Sequence, residues 1–167
     1  MRHYYLSIQK LYKIVIAGEG GVGKTTLIKR YTTGEFSHSK TTIGVSFAIA
    51  HVVYDNTDIK LQIWDLGGEE RFRSILPNFC KGAHGAVIIF DLSRYASFIA
   101  LPEWLELIRN NTNNIPIFLV GSKADLVEHK IITEIQIRET IDKYRLKDYF
   151  ETSSKTGFNI EQLFTNL

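Results

Sequence analysis

"KIVIAGEGGVGKTTLIKRYTTG", residues 13–34, decides the fold. It opens on an apolar, β-branched run, "KIVIAG" (13–18), and closes on a helix-like stretch, "TTLIKRYTTG" (25–34). A run so short and so continuous reads as a strand buried on both faces. The loop between, "GEGGVGKT" (Gly18 to Thr25), satisfies G-x-x-x-x-G-K-[ST]. Its glycines let the backbone curl until several N–H groups point inward, where phosphate oxygens can be held. The following helix offers its positive end to the same anion. Lys24 then reaches the β- and γ-phosphates, and the Thr25 hydroxyl binds Mg²⁺. Glu19, Gly20, Gly21, Val22, Gly23 and Thr26 complete the expected nucleotide-binding loop. The loop alone does not choose ATP or GTP, nor switch, motor or kinase.

Outward from this stretch, similar runs recur at "IKLQIW" (59–64), "GAVIIFD" (85–91) and "IPIFLVG" (115–121). "YFETSS" (149–154) reads as a last strand. "SFAIAHVVY" (46–54) alternates and reads as an edge strand, antiparallel to 59–64 across the "DNTD" turn. Helix-like stretches lie between: "LPEWLELIRNN" (101–111) with Pro102 in its first turn, "TEIQIRETIDKY" (133–144) with a Thr133/Gln136 capping box, and "NIEQLF" before the end. The expectation is an α/β fold: a mostly parallel six-stranded sheet, one antiparallel edge strand, helices on both faces. Ligands of such folds bind beyond the carboxyl ends of the strands.

The chain has 167 residues, 44% of them apolar, which suits one domain with a real core. A net charge of +2 gives no support to a nucleic-acid partner. One cysteine, Cys80, excludes an internal disulfide framework. No apolar run approaches the roughly 18 residues of a membrane span, and no signal peptide is visible. Arg2 in place of glycine excludes N-myristoylation, and "FTNL" carries no prenylation cysteine.

Further motifs follow the phosphate loop in order: "TTIGVSF" (41–47), "KLQIWDLGGEERF" (60–72), "GSKAD" (121–125) and "ETSSK" (151–155). Together they resemble a Ras-superfamily small GTPase, with wording closest to the Rab group. The resemblance implies a P-loop NTPase G domain over 13–167, its last helix cut short, behind an N-terminal extension at 1–12. It implies that Thr42 resembles the first-switch threonine, its hydroxyl on Mg²⁺ and its N–H on the γ-phosphate, held only while GTP is present. Asp65 resembles the acid that holds Mg²⁺ through water. Gly68 resembles the glycine whose N–H senses the γ-phosphate. Phe36 resembles the aromatic edge against guanine. Lys24, Thr42 and Glu69 make up the implied catalytic set.

Base choice rests on the last two motifs. A carboxylate accepts two hydrogen bonds side by side. Guanine presents paired donors and adenine does not, so Asp125 selects guanine. Lys123 lays its stem over the ring, the Ser154 N–H meets the base carbonyl, and Ser153 and Lys155 shape the loop.

Four departures from the family pattern stand out. Ser122 replaces the usual Asn and is too short for the amide's several bonds, which weakens nucleotide binding by about 1–2 kcal/mol. The Thr25–Thr42 spacing is one residue short, and "FSHSKTT" offers no match for the tyrosine often found ahead of the switch threonine. "DLGG" replaces "DTAG", and its glycine pair resembles the Arf group. Glu69 replaces the water-orienting glutamine. The reading is a guanine-nucleotide switch with GTP/GDP and Mg²⁺ and slow hydrolysis. The alternatives are a GTP-binding module with little hydrolysis and a P-loop kinase or ATPase. Expected partners are effectors, an exchange factor and a GTPase-activating protein that read the switches near 36–46 and 66–77, with Phe47, Trp64, Phe72 and Ile75 as a reader patch. The expected state is a cytoplasmic monomer, without nucleic acid and without a membrane anchor on this chain, peripheral to membranes if a C-terminal tail has been removed.

Overall fold

The computed structural model describes residues 10–37 and 40–167. Six strands form one sheet: β1 (Lys10–Ala17), β2 (Val45–Tyr54), β3 (Thr57–Leu66), β4 (Gly85–Asp91), β5 (Ile117–Ser122) and β6 (Asp148–Glu151), in the order β2-β3-β1-β4-β5-β6. Every neighbouring pair is parallel except β2 and β3. The edge hairpin is tighter than expected. Asp55 and Asn56 alone turn the chain, both at positive φ (47° and 56°), and Tyr54 pairs with Thr57.

The helices are α1 (Lys24–Thr33), α2 (Leu76–Cys80), α3 (Tyr95–Ile99), α4 (Leu101–Asn110), α5 (Glu134–Tyr144) and α6 (Ile160–Asn166). Side-chain alternation along the sheet divides the core in two. Ile14, Ile16, Val87 and Ile89 face Leu27 and Ile28 of α1 and Leu163 and Phe164 of α6. Val15, Ala17, Ile88 and Phe90 face Leu76 of α2, Trp104 and Ile108 of α4 and Ile137 of α5. All seven residues of β4 are buried, because β4 lies inside the sheet with helices on both sides. Among the described residues, no helix is long and apolar enough to cross a membrane.

Several boundaries differ from the sequence expectation. β1 starts at Lys10, so Lys10–Tyr12 of the supposed extension pair with Ile59–Leu61; the rest of that extension lies outside the described residues. β6 ends at Glu151, and 152–154 leave the sheet as a loop. α2 and α3 were not foreseen, since five residues apiece carry too little periodicity to read.

β1 lies between β3 and β4, so the chain leaves it in opposite directions along the sheet. The loop after β1 therefore opens at a topological switch point, where an α/β sheet leaves a crevice.

The capping box of α5 is present in both halves: Gln136 N–H donates to Thr133 Oγ1 at 3.3 Å, and Thr133 N–H donates to Gln136 Oε1 at 2.9 Å. Thr133→Ala removes one half. It is expected to cost about 1 kcal/mol, seen as a lower urea midpoint with unchanged slope.

Candidate functional site

The loop from Gly18 to Gly23 folds around one buried cation. Lys24 Nζ donates to the Gly18 carbonyl at 2.7 Å and the Glu19 carbonyl at 3.0 Å. Burial pushes its pKa down to about 8, although the charges of Asp65 and Glu19 oppose the shift. Arg94, just past β4, braces the loop from outside by donating to the Gly20 carbonyl at 2.6 Å. No local pattern points to Arg94, which lies 74 residues from Gly20.

Next to the loop, four residues from four segments meet on one carboxylate oxygen. Asp65, the penultimate residue of β3, is buried, and its Oδ2 accepts from Thr25 Oγ1, from Thr42 Oγ1 at 3.2 Å and from Ser46 Oγ at 3.4 Å. The two threonine hydroxyls are 2.6 Å apart. Burial raises the Asp65 pKa, and the hydroxyl bonds and Lys24 restrain the rise. Its Oδ1 is buried with no hydrogen-bond partner. Two hydroxyls and one carboxylate, whose Oδ1 is unsatisfied, make a set of hard oxygen donors, which fits Mg²⁺. No group of three or more His, Cys, Asp or Glu with metal-site spacing exists among the described residues, so a soft transition-metal centre has no ligands here.

Lys24, Thr25 and Thr42 border a cleft of about 460 Å³. Gly20, Gly21, Val22, Gly23, Lys24, Thr25 and Thr26 line its floor, and Phe36, Thr42 and Gly68 one wall. Ser122, Lys123, Asp125, Ser154 and Lys155 line the far end, and Lys40, Thr41 and Leu126 also line the cleft, unforeseen. His38 and Ser39, in the irregular stretch ahead of Thr42, lie outside the described residues.

The far end is organised by side chains behind it. Ser153 Oγ donates to Asp125 Oδ1 at 2.6 Å and so sets the plane of that carboxylate. Lys123 Nζ meets Asp91 Oδ2 at 2.5 Å. Burial alone would raise the Asp91 pKa, but bonds from Lys123 and Ser93 hold it below the usual range. Asp91 was read from the sequence only as the end of a strand. Ser122 reaches further than its length promised. Its Oγ lies 2.6 Å from the Val22 carbonyl and 3.0 Å from that of Phe90, because β5 ends against the phosphate loop. The tie between the two loops survives; with one proton, the hydroxyl serves one carbonyl at a time.

Four expected site residues do not line the cleft. Asp65 stands behind Thr25 and Thr42, and Ser153 behind Asp125. The Glu19 carboxylate turns outward to Arg73 and Trp104. Glu69 is held by Arg71, with Arg71 Nε 2.6 Å from its Oε2.

Both glycines after Leu66 are in close contact. A Cβ on Gly68 would fall 2.2 Å from the Gly20 nitrogen, and one on Gly67 would fall 2.5 Å from the Gly44 carbonyl. Gly67 N–H donates to that same carbonyl at 2.7 Å. The "GG" pair thus lets the segment after β3 lie between the phosphate loop and the segment that carries Thr42. On the outer face Phe47, Trp64 and Phe79 form a run of rings with centroids 5.0 and 5.7 Å apart. Phe47 and Ile75 are exposed, while Trp64 and Phe72 are half-buried.

Residues 13–167 match the Ras family model. The Ras-related protein Rab-11A of Dictyostelium discoideum is 40% identical over 159 residues, covering 94% of this chain and 74% of that protein. The Ras-related protein RABA1h of Arabidopsis thaliana is 38% identical, covering 94% and 72%. The GTP-binding protein ypt3 of Schizosaccharomyces pombe is 40% identical over 156 residues, covering 92% and 72%.

Ser122→Ala would leave the buried Val22 and Phe90 carbonyls without this donor. The expected cost is about 1 kcal/mol, measured by chemical denaturation of the protein without added ligand.

Proposed function

This chain belongs to the Ras family, and on that footing we propose that it is a switch binding GTP and GDP with Mg²⁺ and hydrolysing GTP slowly. It is a Rab-like small GTPase. The observation that carries the finer reading is the single cleft into which the phosphate loop, Thr42, Gly68, Lys123, Asp125 and Ser154 all open.

The base lies at the far end. Asp125, oriented by Ser153, accepts from the paired donors of guanine; adenine would leave the carboxylate unpaired. Asp91 holds the Lys123 ammonium so that its methylene stem can cover the ring. Ser154 supplies an N–H to the base carbonyl, Lys155 shapes the loop, and Phe36 stands at the base's edge. Phosphates lie against the N–H groups of 19–26 and the Lys24 ammonium, whose charged form an anion restores. Thr25 and Thr42 would hold Mg²⁺, with the Asp65 carboxylate behind them. When bound, the ion neutralises phosphate oxygens and the charge that develops on the leaving group.

In hydrolysis the water oxygen bonds to the γ-phosphorus, and the bond to the bridging oxygen breaks. GDP and inorganic phosphate leave, the water's proton passing to the phosphate. Glu69 can accept a hydrogen bond from that water but cannot donate one to the phosphoryl group. At ~5 Å and an effective dielectric of ~20, its charge costs ~3 kcal/mol against each phosphate charge. Its pairing with Arg71 favours slow turnover, and at the limit favours a second reading, a nucleotide-loaded binding module. An arginine from a GTPase-activating protein would add roughly 10³–10⁵ in rate. Effectors and an exchange factor read the switches, with Phe47, Trp64 and Phe79 as their apolar platform. We place the protein as a monomer in the cytoplasm or at membrane surfaces, in vesicle traffic, without nucleic acid.

Displacement of a fluorescent guanine nucleotide tests the base assignment. GTP should outcompete ATP by roughly 10⁴-fold; equal displacement by ATP would refute it. Multiple-turnover phosphate release separates the two readings of rate. Wild type should turn over slowly and Glu69→Gln should differ from it, whereas no phosphate from either over many hours would leave only the binding module.

A further inference from the structure

Glu19 is an acid inside the phosphate loop whose side chain takes no part in the cleft. Its Oε1 accepts from Arg73 Nη2 at 2.5 Å and from the indole Nε1–H of Trp104 at 3.0 Å. Arg73 follows the short 3₁₀ turn Glu70–Phe72 of the second switch. Its Nη1 donates to Glu103 Oε2 at 3.0 Å, and its guanidinium lies 4.0 Å over the Trp104 ring. Trp104 is fully buried on α4. Three parts of the molecule are thereby joined: the phosphate loop, the second switch and a core helix.

The strength of the junction lies in Glu19 and Trp104. Glu103 is mostly exposed, and exposed pairs contribute little. The Glu19 pair is half-buried, its bonds are charge-assisted, and the cation lies on a buried ring. A planar fork that pairs and stacks at once needs arginine; lysine cannot replace it.

The junction requires the second switch to lie against the loop, as the close approach of Gly68 to Gly20 shows that it does. In the same arrangement Thr42 lies on Asp65 and Thr25, and Gly67 is bonded to Gly44. Both switches are closed together. We propose that Glu19 and Arg73 form a latch for this closed arrangement and thereby set the protein's preference between GTP and GDP. The inference rests on the reading above, in which Thr42 and Gly68 are held by the γ-phosphate. Latch and γ-phosphate then favour the same arrangement, and each strengthens the other. Glu19 and Arg73 are positioning residues; their side chains lie outside the cleft and act through Gly68.

The test measures affinities for GDP and for a non-hydrolysable GTP analogue, in Mg²⁺, for wild type, Glu19→Gln, Arg73→Met and Glu103→Gln. Glu19→Gln and Arg73→Met should weaken the analogue about tenfold relative to GDP, and Glu103→Gln should leave the ratio within about twofold of wild type. Glu19→Gln is nearly isosteric and decides the matter should Arg73→Met fold poorly. Trp104 gives a second readout. The chain has two tryptophans, so Trp64→Phe leaves it as the sole reporter. Its emission should differ between the two nucleotides, and Arg73→Met should abolish the difference. An unchanged affinity ratio in Glu19→Gln, or identical Trp104 emission in both states, overturns the latch and leaves the GTPase reading standing. Failure of wild type to bind either guanine nucleotide overturns both.

Discussion

The Asp65 carboxylate, buried at the end of β3, is where the helix after the phosphate loop, the first switch and the edge strand meet. A buried carboxylate is costly unless its charge is met. Here three hydroxyls crowd onto Oδ2, and Oδ1 has no partner within the protein. The sheet sets this position rigidly, because β3 pairs on one side with β1 and on the other with β2. Thr42 is free of any such ladder. Its place on Asp65 depends on its hydroxyl and on the Gly67–Gly44 backbone bond nearby, so a bound cation and phosphate would have leverage over the first switch and little over the sheet.

The same economy governs the segment after Leu66. Two adjacent glycines leave no Cβ on either side, so its backbone fits between Gly20 and Gly44. A change at the phosphate loop is then felt by both switches through direct contact. Packed contacts of this kind have discrete arrangements and do not deform continuously. Arg73 carries the contact onward to Trp104, and so from the surface into the core.

Much of this was legible in the sequence because its signals are local. The buried strands were visible as unbroken β-branched runs, and the α5 cap as Thr133 with Gln136 three residues on. The phosphate loop was found by its spacing and the base motifs by resemblance, and all their expected site residues except Glu19 and Ser153 line one cleft. The misses are non-local. The loop pattern places the Glu19 backbone at the nucleotide but says nothing of where its carboxylate goes. Its partners are 54 and 85 residues away, and no local spacing announces them. Asp91 looked like the polar end of an apolar run until Lys123 came to it from the next strand. That Ser122 meets the Val22 carbonyl depends on how closely β5 abuts the loop, which no local pattern announces.

On the function proposed above, Asp125, Asp65 and the phosphate loop would together take a guanine base, a hard cation and a polyphosphate. The most direct measurement is the identity of the nucleotide released when protein purified in Mg²⁺ is denatured and the supernatant is chromatographed. The account predicts GDP or GTP in near-stoichiometric amount. An adenine nucleotide, or no nucleotide from protein that also fails to take up added GTP, would contradict it.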